Sequence, residues 1–193
     1  MNKVAIVTGA GTGVGKATAV KLSNAGFTVV LIGRRKEKLE QTKTACNDQA
    51  LVVPMDVSNE TDVKKCFEMI KKDFSRIDLL FNNAGTFLSS KTIDEINFNE
   101  WKKVIEVNLN GMFLFSKYAF SLMKNQSPKG GRIINNGSVS AHAPRPGSIA
   151  YTATKHAVTG ITKSLALDGR PFSIVCSQLD IGNADTPMTE GIK

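Results

Sequence analysis

The chain has 193 residues, 41% of them hydrophobic and 22% charged, which suits one globular domain with a sizeable core and excludes a disordered segment. Lys and Arg number 25 against 17 Asp and Glu, a formal net charge of +8 that favours anionic partners. No arginine-rich tract or nucleic-acid motif accompanies that charge, so a phosphorylated small molecule fits it better than a nucleic acid. Cys46, Cys66 and Cys176 are far apart and odd in number, which predicts reduced thiols in a cytoplasmic protein and no metal site. The start "KVAIVTGAG" is too short and too glycine-bounded for a signal peptide or a membrane span.

In chain order, "VAIVT" (4–8) is a short β-branched run closed by glycine, the pattern of a buried strand. Residues 13–25 have helical spacing and stop at Gly26. "TVVLIG" (28–33) is a second strand, and "RRKEKLEQTKTAC" (34–46) a charged surface helix. "ALVVPMDV" holds a third strand. Ser58 or Asn59 is placed to cap a helix through "DVKKCFEMIKKDF". "IDLLFNNAG" is a fourth strand leading to a turn, residues 99–124 form a long helical stretch, and "GRIINNGS" is a fifth strand with its loop. "YTATKHAVTGITKSLALDG" is a helix ending at Gly169, and "FSIVCSQL" is a sixth strand. Strands alternating with helices over short connections predict an α/β fold, a doubly wound parallel sheet of the Rossmann type with helices on both faces, as a single domain over 1–193. Ligands of such sheets sit beyond the C-terminal strand ends, where strand order reverses. The unusual residues of this chain fall there.

The first strand runs into "TGAGTGVG" (8–15), with glycine at 9, 11, 13 and 15. Glycine lets a phosphate approach the backbone, and the following helix offers free N–H groups and the positive end of its dipole. A flexible turn is the plainer explanation, but alternating glycines at a strand–helix junction favour a dinucleotide site. The spacing does not fit G-x-G-x-x-G, because Lys16 stands at the third position. It does fit T-G-x-x-x-G-x-G through Thr8, Gly9, Gly13 and Gly15.

With that spacing, "NNAG" (82–85), Asn108 in "EVNLNG", Ser138 in "NGS", and Tyr151 with Lys155 as Y-x-x-x-K, the chain resembles the short-chain dehydrogenase/reductase family along nearly its whole length. The resemblance implies a nicotinamide cofactor held by Gly9, Thr12, Gly13, Val14 and Gly15 at the turn and by Asn83, Ala84 and Gly85 after strand four. It also implies contacts from Asp56, with Val57 beside it, to the adenine end, and from Tyr151, Lys155, Gly182 and Thr186 to the nicotinamide end. Strand two ends on Gly33, Arg34, Arg35 and Lys36, where an acidic residue would bind ribose hydroxyls and repel a 2′-phosphate. Arg34 can instead pair with that phosphate, which predicts NADP(H), with NAD(H) as the alternative. A solvated basic helix start competes with this for Arg35 and Lys36.

The chemistry implied is interconversion of a small-molecule carbonyl and alcohol by hydride transfer. Tyr151 is the expected proton donor and acceptor, with its pKa lowered by the Lys155 ammonium one helical turn away. Ser138 would orient the substrate oxygen, and Asn108 would hold a water beside the lysine and relay protons. Taken singly, each has a bland alternative: a half-buried aromatic, a solvated lysine, a turn serine, a misfit asparagine. His142 and His156 have no spacing that suggests a metal or a base. Three departures from the family pattern stand out. Ile181 replaces a usual proline before Gly182, and Thr12 replaces a basic residue that often reinforces NADP(H) preference. Family members also commonly continue for several dozen residues past the position of Lys193, with a substrate-covering segment, a helix and a last strand, so the expectation is an incomplete sequence. A non-catalytic NADP(H)-binding regulatory or scaffold protein is the alternative of a different class, and its mark would be loss of Tyr151, Lys155 or Ser138. A sugar-nucleotide epimerase shares Y-x-x-x-K but has a larger C-terminal domain. The resemblance further implies a homodimer or homotetramer through the helices near 99–124 and 151–168, with no nucleic-acid or membrane partner.

Overall fold

The structure is a computed structural model and describes residues 3–47 and 50–186. The predicted strands form where β-branched and aliphatic runs are bounded by glycine or polar turns: β1 (Val4–Thr8), β2 (Thr28–Gly33), β3 (Ala50–Pro54), β4 (Leu79–Asn82), β5 (Gly131–Asn136) and β6 (Ile174–Leu179). They make one sheet in the order β3-β2-β1-β4-β5-β6. Every pairing is parallel, with Val4 opposite Thr28, Ala5 opposite Leu79 and Gly131 opposite Ile174. Between β1 and β4 the order reverses, and a crevice opens beyond their C-terminal ends.

The two-residue period of a strand sends alternate side chains to opposite faces. Val4, Ile6, Val30, Ile32, Leu80 and Ile133 point to one core. Val7, Val29, Leu31 and Phe81 point to the other. Helices α1 (Gly13–Asn24) and α2 (Lys36–Thr44) supply Ala19 and Leu39 to the second core. Helix α3 (Glu60–Phe74) brings Val63, Phe67 and Ile70 to the first, where Phe67 meets Phe115 edge-on at 5.6 Å. Fully burying each such aliphatic side chain contributes about 1.5–3 kcal/mol, so the sheet centre is the rigid part of the molecule.

Several boundaries refine the sequence expectations. Asn59, not Ser58, caps α3: its side chain accepts from the Asp62 N–H at 3.1 Å, while Ser58 binds Asp56. Helix α2 begins at Lys36, leaving Arg34 and Arg35 in the turn beyond β2. The stretch expected as one helix over 99–124 is α4 (Phe98–Ile105), a π-helical turn (Glu106–Asn110) and α5 (Gly111–Asn125). The π turn takes in one extra residue per hydrogen-bonded ring, a feature common at functional sites. It places Asn108 inward, and Gly111 lets α5 pass Val57, whose Cγ2 would lie 2.7 Å from any Cβ there. Helix α6 (Ile149–Asp168) packs Leu165 and Ala166 on the first core. Phe113 on α5 and Leu167 on α6 stay more than half exposed, as do the outer atoms of Phe98 on α4. No helix among the described residues is long and apolar enough to cross a membrane.

Candidate active site

The turn after β1 is fastened to the turn after β4. The Thr8 hydroxyl accepts from the backbone N–H groups of Asn83 (2.8 Å) and Ala84 (2.9 Å), and the Asn83 amide donates to the Thr8 carbonyl at 2.9 Å. Asn136, at the end of β5, donates to the Asn83 Oδ1 at 2.9 Å. Three neighbouring strand ends are thus cross-braced through half-buried side-chain amides. Gly9 (φ +67°) and Gly13 (φ +53°) have left-handed backbones, which glycine adopts without penalty. Gly15 lies directly under the Gly9 carbonyl, and a Cβ there would collide with it. Helix α1 then starts with no acidic residue in its first turn and no side-chain cap, leaving its N–H groups for an anion.

These features floor a groove of about 450 Å3. It is lined by Gly9, Thr12, Gly13, Val14, Arg34, Asp56, Val57, Asn83, Ala84, Gly85, Tyr151, Lys155 and Thr186, all singled out from the sequence. Gly15 supports the turn from beneath instead of lining it. At the far end Arg34, Arg35 and Lys38 cluster, with Asp56 as the acidic neighbour. Burial opposes ionisation of Asp56, but hydrogen bonds from the Ser58 N–H and hydroxyl, and the Arg34 charge, hold its carboxyl below the usual carboxylate range. A dinucleotide fits this cradle: glycines where phosphates would approach, a helix N-terminus, and basic side chains at the distal end.

At the near end, Tyr151 and Lys155 rise from the first turns of α6 and meet Ser138, just past β5. Lys155 is 7% exposed, and its Nζ donates to the Asn136 carbonyl at 2.6 Å. Burial pushes its pKa down to about 8, against the opposing charge of Asp180. The ammonium sits 5.3 Å from the Tyr151 ring centroid. The expected lowering of the Tyr151 pKa is not met. Burial raises it, and the Ser138 hydroxyl and the Arg145 charge only partly counter this. Desolvation penalises phenolate and ammonium alike, and one of the three Lys155 N–H donors is taken by the Asn136 carbonyl. A phenol that stays protonated at neutral pH is the form needed to donate a proton.

Asn108 is buried but lines neither cavity. Its Oδ1 accepts from the Thr86 N–H at 2.7 Å, and its Nδ2 donates to the Thr86 carbonyl at 2.8 Å and to the Thr154 hydroxyl at 3.2 Å. The side chain therefore ties the 83–86 turn to helix α6 at Thr154, the residue before Lys155.

A second cavity, of about 150 Å3, adjoins the groove and shares Val14, Phe87, Asn136, Tyr151 and Thr186 with it. Ser138, Ile181 and Gly182 line it together with Leu88, Ile96, Val139 and Arg145. Asp180, absent from the sequence expectations, is fixed here. It accepts from Gln178 Nε2 (2.6 Å), from the Ser138 N–H (3.1 Å) and pairs with His142 Nε2 (2.8 Å). Burial disfavours its charge, yet His142, Gln178 and the Ser138 N–H keep its pKa low. Gly137 is what allows this approach, since a Cβ there would strike the Asp180 carboxylate. Of its partners, Ser138 and His142 lie on the loop after β5, remote in sequence, and only Gln178 is local, so spacing around Asp180 does not announce the site. The only available signal was the departure of "LDIG" from the usual loop. Among the described residues no cluster of His, Cys, Asp and Glu could hold a metal ion.

Comparison with known proteins matches this architecture. The family model for short chain dehydrogenases covers residues 3–193. A 3beta-hydroxysteroid dehydrogenase of Mediterraneibacter gnavus is 37% identical over 191 residues, spanning 97% of this chain and 68% of that protein. The crystal structure of a 3-ketoacyl-(acyl-carrier-protein) reductase from Brucella melitensis complexed with NADH superposes with a TM-score of 0.94 at 32% identity, over 97% of this chain and 78% of that one. An acetoin dehydrogenase from Salmonella typhimurium superposes with a TM-score of 0.89 at 35% identity, over 97% and 75%. Sequence, sheet order and the crevice at its reversal agree, and the chain belongs to the short chain dehydrogenase family of oxidoreductases.

Proposed function

We propose that the protein reduces a carbonyl to an alcohol, and runs the reverse reaction, with NADP(H) as hydride carrier. The observation that carries this is the meeting of Ser138, Tyr151 and Lys155 where the glycine-floored groove opens into the smaller, largely apolar cavity. The cofactor would supply or accept the hydride. Ser138 orients the substrate oxygen and stabilises charge developing on it. Tyr151, protonated at neutral pH, hands its phenolic proton to that oxygen in reduction and takes one back in oxidation. Lys155 keeps a positive charge beside the phenol, favouring the phenolate left after transfer. Any proton relay through Asn108 runs along its main chain, because its side-chain amide is engaged.

Preference for NADP(H) rests on Arg34, Arg35 and Lys38 gathered at the groove's far end. NAD(H) remains the competing choice, since the Brucella neighbour is a complex with NADH. The relatives are named for a hydroxysteroid, a ketoacyl thioester and acetoin, which share only the carbonyl–alcohol couple. Pairing of copies through the exposed faces around Phe113 and Leu167 would give the homodimer or homotetramer expected of the resemblance. The deciding experiment is Tyr151→Phe in the full-length protein with NADPH and a panel of ketones. Turnover should fall by about 10²–10⁴-fold while NADPH still binds. A variant with full activity would remove Tyr151 as the acid.

A further inference from the structure

The smaller cavity has an uneven chemistry. Phe87, Leu88, Ile96, Val139 and Ile181 make its walls apolar, and Arg145 is the one charged side chain among its described lining residues. Among the described residues no Asp or Glu lines it, and none of the ion pairs includes Arg145. The nearby cation Lys91, by contrast, is neutralised by Glu100 at 2.7 Å. The Arg145 backbone is held in place: its carbonyl accepts from the Ser148 hydroxyl at 2.6 Å, and Ser148 in turn meets Thr152 at 3.0 Å in the first turn of α6. The Arg145 guanidinium is solvent-exposed and has no ion-pair partner among the described residues. It offers five N–H donors in a planar fork to whatever enters the cavity.

Resting on the oxidoreductase reading, we propose that the cavity accepts carbonyl compounds with an apolar frame and a carboxylate, the carboxylate being held by Arg145 while the carbonyl oxygen faces Ser138 and Tyr151. Arg145 lines the same cavity as Ser138 and Tyr151, so its charge and the reacting groups face one ligand. A bound carboxylate would also offset that charge and keep the phenol in its protonated, donating form. The basic surface of the chain, at +8, would draw such an anion towards the mouth.

The test uses full-length wild type and Arg145→Gln with NADPH, and three aryl keto acids of increasing spacing (benzoylformate, benzoylpropionate and benzoylbutyrate), each beside its methyl ester. For the acid of correct spacing, the acid-to-ester ratio of kcat/KM should fall by about tenfold or more in Arg145→Gln, and Arg145→Lys should restore part of it. Loss of acid and ester turnover by the same factor, or a wild type that prefers the esters throughout, overturns the proposal while leaving the oxidoreductase reading intact. If no compound is turned over, that reading is in question, and binding of the acids to NADPH-saturated protein still decides this one. Tighter binding to wild type than to Arg145→Gln supports it, and equal binding overturns it.

Discussion

The two cavities that meet at Tyr151 are built from different materials. The groove is floored by left-handed glycines and a helix N-terminus, and side-chain bonds of Thr8, Asn83 and Asn136 join three strand ends beneath it. The smaller cavity is walled by side chains from loops, and Val139 on its rim is 47% exposed. The groove thus inherits the rigidity of the buried sheet, while the cavity depends on contacts between segments remote in sequence. One part is suited to a constant cofactor, the other to a variable substrate.

Substitutions can break or sharpen this contrast. The largest effect is expected at Gly15→Ala, which forces a methyl group against the Gly9 carbonyl. Overpacking of this kind costs about 1–3 kcal/mol, and NADPH binding should be lost with it. Val139→Ala, on the cavity rim, should stay within about 0.5 kcal/mol of wild type. Denaturant melts of both variants check the pair, and equal destabilisation would erase the distinction. Next in size, Arg34→Leu should cut the NADPH-to-NADH ratio of kcat/KM by about tenfold, the worth of one charge-assisted contact. An unchanged ratio would leave Arg34 a solvated turn residue.

Asp180→Asn should have a smaller effect, about a few-fold in kcat/KM. Its diagnostic is the pH profile. Asp180 raises the proton affinity of Lys155, so its neutralisation should move the alkaline limb of activity to lower pH. A loss of rate with no movement of that limb would make Asp180 merely a clamp on the Ser138 loop. A separate readout is the pH dependence of stability. Lys155 has a folded pKa of about 8 against an ordinary 10.5. Below about 8 it is charged in both states, and the burial penalty is carried in full. Between those values the unfolded chain holds a proton that the folded one has released, so stability should rise with pH across that window. Lys155→Met should flatten the rise in melts taken across it.

The same contrast decided what could be read in the sequence. β1 and β2 fall where "VAIVT" and "TVVLIG" place them, because a buried parallel strand is a short apolar run with glycine at its end. The groove residues were legible because glycine and asparagine at fixed spacings serve backbone geometry. The π turn at Glu106–Asn110 was not, because one extra residue inside a long amphipathic stretch leaves its periodicity almost untouched. The engagement of Asn108 with Thr86 followed from that turn and was hidden with it. Tyr151 and Lys155 were visible as a pair, but the direction of the tyrosine shift was not, since burial outweighs the neighbouring charge. Asp180 and His142 come together only through the loops after β5 and β6, and no spacing within either loop encodes that.

The central claim is that hydride passes directly between a cofactor in the groove and a carbonyl in the adjoining cavity, with Tyr151 as the acid. Full-length protein supplied with NADPH deuterated at C4, as each stereoisomer in turn, and a panel of ketones tests it by mass spectrometry of the alcohol. The account predicts deuterium on the carbinol carbon from one stereoisomer only, with Tyr151→Phe forming the labelled alcohol about 10²–10⁴-fold more slowly. A deuterium-free alcohol formed as NADPH is consumed, or labelled alcohol formed at the wild-type rate by Tyr151→Phe, would contradict it.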